Sequence, residues 1–465
     1  MTFPSALKKS IKQIVRRIGG AVRGPVSHLP PEAWGLTYRE GLLHYGDAPL
    51  ERTLQQCGSP MHVVFEERLL ENLKAFLSPT TSRGTRCDVF VSYKTNPVPG
   101  VLQMLHAAGA AAEVISEYEL RLAMHLGVAP DRIVYNGPAK SDASLEMAVS
   151  RGIRAINLNH WDEVPRLRAI SQRLCRKVNL GFRVTGKGWS GQFGFPMEDA
   201  DTIAAIRALQ EMPEFELIGF HCHRGHSIRS RADVADHLGP LLSFTERLRD
   251  ATGFEPQMLD CGGSLAVPTS RALTRRDMRA AMTLNIPPVA PDPNATLTPA
   301  AFTHEVIDIV ESWFIQRGRP IPQIILEPGR SLTGNAQALL CRVLDIRRDR
   351  DFDYAILEVG ASHARIMMDE YHEILPLAPR PGSQHAYRLV GPICHMGDVT
   401  QWAWHCSELR RGDALAIMDS GAYFTADAAN FSFARPGVAR IDRAGTVTLM
   451  RSTETFEYMT GMDRL

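Results

Sequence analysis

Along most of this chain, short apolar runs rich in β-branched residues alternate with longer stretches whose apolar positions recur every three or four residues. Residues 88–93, 112–115, 132–135, 155–158, 178–184, 216–221, 257–260 and 323–327 read as strands. Stretches such as 99–108, 117–126, 142–151 and 232–252 read as helices between them. Parallel strands need such crossovers, and eight strand–helix units in succession predict an α/β fold, a (β/α)8 TIM-type barrel. Residues 268–299, with Pro287, Pro288, Pro291 and Pro293, break the rhythm and read as a long loop inserted after the seventh strand. Beyond residue 335 the helical period stops. Strand-like runs at 338–346, 354–359, 414–419, 438–441 and 446–450, divided by turn signals, predict a second, mostly β domain. The run 61–66 is expected to pair into it. The chain therefore divides into an N-terminal extension (1–31), a segment contributing to the β domain (32–66), the barrel (67–334) and the C-terminal β domain (335–465).

Composition changes this picture little. The chain has 465 residues, 44% hydrophobic and 22% charged, with a net charge of +1 that gives no reason to expect a nucleic-acid partner. No apolar run approaches the ~18 residues of a membrane span. Eight scattered cysteines without a CxxC pair exclude a zinc ribbon or thioredoxin-like site and fit a reducing cytoplasm. The extension is distinct: Lys8, Lys9, Lys12, Arg16, Arg17 and Arg23 occur without an acid, and Leu7, Ile11, Ile14, Val15, Ile18 and Val22 share one helical face. Such a helix can lie on an anionic membrane or a partner. A locally docked extension is the plainer expectation.

Barrel chemistry sits at the C-terminal ends of the strands. The first strand runs into Tyr93-Lys94-Thr95-Asn96, the sixth into His221-Cys222-His223-Arg224-Gly225, the seventh into Asp260-Cys261-Gly262-Gly263-Ser264, and the eighth into Glu327-Pro328-Gly329-Arg330. A lysine leaving a buried strand can form a Schiff base, because burial favours its neutral amine. A diglycine turn lets backbone N–H groups approach a phosphate, and an arginine can clamp it. A carboxylate facing a pyridine nitrogen keeps that ring protonated, and a histidine can stack on its face. Each feature alone is ordinary: a solvated lysine, a tight turn, a surface ion pair. Their coincidence at four strand ends is not. His221 and His223 also suit a metal pair, but no third ligand stands at a fitting spacing, so no metal is expected.

From about residue 35 to the C-terminus the chain resembles the fold-type III pyridoxal-phosphate (PLP) decarboxylases of diaminopimelate, ornithine and arginine, the diaminopimelate pattern most of all. The resemblance rests on the four strand ends, on Gly391-Pro392-Ile393-Cys394 with Asp398, and on Gly421-Ala422-Tyr423. It implies an amino-acid decarboxylase in which Lys94 holds PLP, His223 stacks on the ring and Glu327 meets the ring nitrogen. Gly262, Gly263, Ser264, Gly329, Arg330 and Tyr423 would contact the phosphate or the substrate carboxylate, and Cys394 would return a proton to the α-carbon. Arg365, His395 and Asp398 would line the substrate side. A homodimer with shared active sites is implied as well. Four places depart from the family pattern. The phosphate turn reads Gly262-Gly263-Ser264, where the family usually has three glycines. Arg224-Gly225-His226-Ser227 separates the glycine from its serine. The segment 365–372 is one residue short, with Met368 or Asp369 where a tyrosine is expected. His395 stands where family members carry an acid that reads a distal amine. The last two changes point to a distal group that is neutral, acidic or bulky. An α-carbon racemase on the same cofactor and a non-catalytic binding protein are the competing readings.

Overall fold

A computed structural model describes residues 28–189, 191–225, 227–349 and 352–464, so residues 1–27 of the basic extension and His226 lie outside the described residues. The chain divides into two compact units, one of residues 69–266 and 296–333, the other of residues 1–68, 267–295 and 334–465.

The first unit is the barrel. Its strands are β1 (Cys87–Ser92), β2 (Ala111–Val114), β3 (Ile133–Tyr135), β4 (Ala155–Leu158), β5 (Val178–Thr185), β6 (Phe215–Cys222), β7 (Met258–Asp260) and β8 (Gln323–Leu326). Each pairs in parallel with the next, and β8 pairs with β1, closing the sheet. The strands are apolar on both faces because one face packs inward and the other meets the helix ring. Phe90, Ala111, Val134, Ala155, Ile218, Met258 and Ile325, from seven different strands, form one buried cluster across the interior. Ser116, Ser141 and Ser230 begin the helices Glu117–His125, Asp142–Arg151 and Arg231–Thr252 by accepting a first-turn N–H.

The second unit is β-rich. Its central strand, Gln337–Arg348, pairs antiparallel with Met61–Phe65, Asp353–Leu357 and Ala414–Ile417. Met61–Phe65 pairs in parallel with Gly437–Ile441, so the pre-barrel segment is built into the sheet. Trp34, Tyr45, Phe65, Tyr371 and Trp404 fill its core. Strands Leu36–Arg39, Leu42–Tyr45, His385–Val390 and Val399–Cys406 carry no clear period-2 signal in the sequence.

Residues 268–299 are not the structureless loop that their prolines predict. Arg271–Ala272 pairs antiparallel with Glu370–Tyr371, and helix Arg275–Leu284 follows with a Thr274/Asp277 capping box. Residues 267–295 consequently belong to the β-rich unit rather than to the barrel. The described end of the N-terminal extension is docked: His28 Nδ1 and the Leu29 N–H meet the buried Glu373 carboxylate, each at 2.8 Å.

Candidate active site

The barrel unit brings Lys94, His223, Gly262, Gly263, Ser264, Glu327, Gly329 and Arg330 to the C-terminal ends of β1, β6, β7 and β8. Lys94 sits in a single 3-10 turn, Tyr93–Thr95, with its side chain 38% exposed and Nζ 3.8 Å from Glu113 Oε2. Arg330 opens the short helix Arg330–Thr333 directly after β8 and Gly329.

The diglycine turn is required by space as well as by conformation. Gly262 has φ +64°, and a Cβ there would lie 2.7 Å from the Cys222 carbonyl oxygen. A Cβ on Gly263 would strike the Glu327 carbonyl. Only bare backbone lets β6, β7 and β8 close together here, leaving the Gly263 N–H and Ser264 Oγ each 3.4 Å from a nitrogen of His223. Burial, with Lys94 nearby, lowers His223 to about 3, so the ring is neutral and suited to lie against another flat ring.

Beneath this turn lies a carboxylate cluster around Glu327, whose other members the sequence did not single out. Glu327 Oε2 accepts from His221 Nε2 at 3.1 Å, and Oε1 accepts from Asn136 Nδ2 at 2.7 Å. Burial alone would raise its pKa, but His221, Asp260 and Lys94 hold it below the usual carboxylate range. Asp260 moves the opposite way. Fully buried and beside the Glu327 charge, it keeps its proton, and Oδ1 accepts the Gly262 N–H at 2.9 Å. The two carboxyls are thus driven in opposite directions, Asp260 toward its protonated form and Glu327 toward its charged one. Glu113 in β2 is fully buried and accepts from Ser92 Oγ at 2.6 Å and Asn136 Nδ2 at 3.0 Å. Glu119 is raised to about 7 by burial and by Glu113.

One nitrogen of His221, one of His223 and one oxygen of Glu327 lie within 4.8 Å of one another. Glu327 is the third group that spacing along one strand could not reveal. Both its oxygens are engaged by Asn136 and His221, which fits the floor of an organic-cofactor site better than an open metal shell.

The β-rich unit carries the remaining sequence candidates. Cys394, His395 and Met396 form an exposed turn. Asp398 braces this turn. It is buried, Oδ1 accepts the Ala361 N–H at 2.6 Å and Oδ2 the Ile393 N–H at 2.7 Å, so it anchors the turn bearing Cys394. His395 Nδ1 accepts the Gly397 N–H at 3.1 Å, so the ring's donor is Nε2–H. Arg365 is exposed on a 3-10 turn, and Tyr423 is half-buried with φ +68°.

A neutral histidine, a floor carboxylate held charged, a lysine and a backbone cradle closed to any Cβ fit PLP. The family model described as "Pyridoxal-dependent decarboxylase, pyridoxal binding domain" matches residues 68–334. The chain belongs to the pyridoxal-dependent decarboxylases. It is a PLP-dependent carboxy-lyase acting on an amino acid, and the racemase and binding-protein readings are not favoured. Among curated relatives, the diaminopimelate decarboxylase of Aquifex aeolicus is 27% identical over 91% of this chain and 96% of its own length. That of Methanothermobacter thermautotrophicus is 27% identical over 90% and 94%. A crystal structure of the M. jannaschii diaminopimelate decarboxylase in complex with L-lysine superposes with a TM-score of 0.82 at 23% identity, covering 92% of this chain and 98% of that one. A Vibrio vulnificus lysine/ornithine decarboxylase complexed with cadaverine gives 0.69 at 19%, covering 84% and 97%. Both are likenesses of fold.

Proposed function

We propose that this decarboxylase acts on an α-amino acid whose distal end presents a hydrogen-bond acceptor (a carboxylate, carboxamide or acyl group) and not a lone ammonium. The observation that carries the reading is the tautomer of His395. With Nδ1 occupied by the Gly397 N–H, the ring offers an Nε2–H donor where an acid would offer an acceptor. An ammonium has only donors, so it finds no partner there. Diaminopimelate itself remains eligible through its second carboxylate, whereas lysine and ornithine do not.

In this reading Lys94 would hold the cofactor and the substrate amine would take its place. Bound PLP supplies an electron sink for the pair left at the α-carbon when CO₂ departs. Glu327 would keep the ring nitrogen protonated, and neutral His223 would lie against the ring without adding charge. Gly262, Gly263, Ser264, Gly329, Arg330 and Tyr423 hold the phosphate and the substrate carboxylate. Cys394 returns a proton to the α-carbon, with Asp398 fixing the turn that bears it. Arg365 lies on the substrate side.

The enzyme works as a homodimer in the cytoplasm. Met396 is 97% exposed and Phe431 53%, with their neighbour Cys394 also at the surface, as expected of residues covered by a second copy. All eight cysteines are free thiols. No helix among the described residues is long and apolar enough to cross a membrane.

The test is CO₂ release by PLP-loaded protein from meso-diaminopimelate, glutamate, N-acylated diamino acids, lysine, ornithine and arginine. Release confined to the first three is expected. Release from lysine or ornithine at comparable kcat/KM would overturn the acceptor reading.

A further inference from the structure

The floor of the barrel holds two buried carboxylates, Glu113 on the Lys94 side and Glu327 on the far side, and one side chain joins them. Asn136, at the end of β3, is buried, and its Nδ2 donates to Glu113 Oε1 at 3.0 Å and to Glu327 Oε1 at 2.7 Å. Its orientation is not free. Oδ1 accepts from Asn157 Nδ2 at 2.7 Å, and Asn157, at the end of β4, is buried too. An amide turned the other way would point its oxygen at two carboxylates and its NH₂ at another NH₂.

We infer that Asn136 is a positioning residue for the reaction: its two N–H donors hold the Glu113 and Glu327 carboxylates in place, with Asn157 setting its orientation. The argument is one of donors. Two buried carboxylates facing each other favour a shared proton, and Asp260, raised by burial and by Glu327 on the other side, follows the same rule. A neutral amide that gives one N–H to each carboxylate removes the need for that proton without adding a charge of its own. The titratable groups around this pair are Lys94, Arg183, neutral His223 and His221, which bonds Glu327, together with the acids Glu119 and Asp260. Asn136 is the amide between them. If it is lost, Glu327 becomes the stronger base and draws to itself the proton that the cofactor ring nitrogen needs.

This rests on Glu327 facing that nitrogen, so the test separates the two ideas. Protein reconstituted with PLP labelled with ¹⁵N at the ring is examined by NMR and by steady-state kinetics, as wild type, Asn136→Leu, Asn157→Ala and Glu327→Ala. For Asn136→Leu the ring signal should move toward the unprotonated position at neutral pH. Its kcat should fall about 10- to 100-fold, the size expected for removing hydrogen bonds to buried charge, while KM changes little. Asn157→Ala, which keeps both donors but frees their orientation, should move the signal the same way by less. It also guards against a poorly folded Asn136→Leu protein. An unmoved ring signal in both variants would overturn the inference. An unmoved signal in Glu327→Ala would instead overturn the placement of the cofactor on which it rests.

Discussion

The barrel floor and the Cys394 turn are both places where buried carboxylates organise chemistry, and they do it in opposite ways. On the floor, Glu113, Glu327, Asn136 and His221 bind one another through side chains from different strands. In the β-rich unit a single carboxylate, Asp398, spends both oxygens on backbone N–H groups and leaves the residues it supports exposed. The floor resembles a preorganised cofactor seat, where each group's charge depends on its neighbours. The turn is a scaffold for side chains whose partners come from elsewhere. Damage to the floor should therefore change cofactor chemistry, and damage to the turn should change turnover or substrate choice while the cofactor stays bound.

The largest effect expected is that of Lys94→Ala. It should abolish the borohydride-reducible PLP adduct and lower kcat/KM by roughly three orders of magnitude or more. Retention of a reducible adduct would show that another amine carries the cofactor. Next, Asp398→Ala strands two part-buried N–H groups, each worth at most about 1.5–3 kcal/mol when bonded to a charge. A lower Tm and kcat are expected with PLP affinity unchanged; a matching loss of PLP affinity would erase the contrast between the two regions. Gly263→Ala forces a Cβ against the Glu327 carbonyl at a cost of about 1–3 kcal/mol, seen as weaker PLP retention on dialysis. His395→Asp should raise kcat/KM for lysine or ornithine about tenfold relative to glutamate, because an acceptor replaces a donor. The smallest effect concerns pH. Glu119 is raised from 4.5 to about 7, so its protonated form stabilises the fold fully below pH 4.5, and that contribution disappears as pH rises through 7. Glu119→Gln should flatten the fall in Tm across that window; an unchanged slope would assign the dependence to another group.

The barrel could be read from the sequence because buried parallel strands are short continuous apolar runs, and the chemistry stands where each run ends. Lys94, His223, the diglycine and Glu327 were visible for that reason. Their supports were harder to see. A lone asparagine after a strand, as in Tyr135-Asn136-Gly137, looks like a turn signal, and nothing local shows that its amide reaches carboxylates from β2 and β8. Glu113 left a trace, an acid inside the strand Ala111–Val114, all of it buried, but its partners come from β1 and β3. Asp398 sits within a motif associated with substrate, so its backbone role emerged only in three dimensions. In the β-rich unit His385–Val390 and Val399–Cys406 pair with two register shifts and include His385, Arg388, Gln401 and His405, which blurs any alternation.

The placement of Met61–Phe65 has a consequence for how the molecule is made. This strand lies between Gln337–Arg348 and Gly437–Ile441, so both of its neighbours are synthesised long after it. The nearer one is separated by about 270 residues of chain. At about 5–20 residues per second a ribosome needs tens of seconds to deliver it. Throughout that interval a strand that is buried along its whole length in the finished fold has both edges unpaired, a window for chaperone binding or for aggregation.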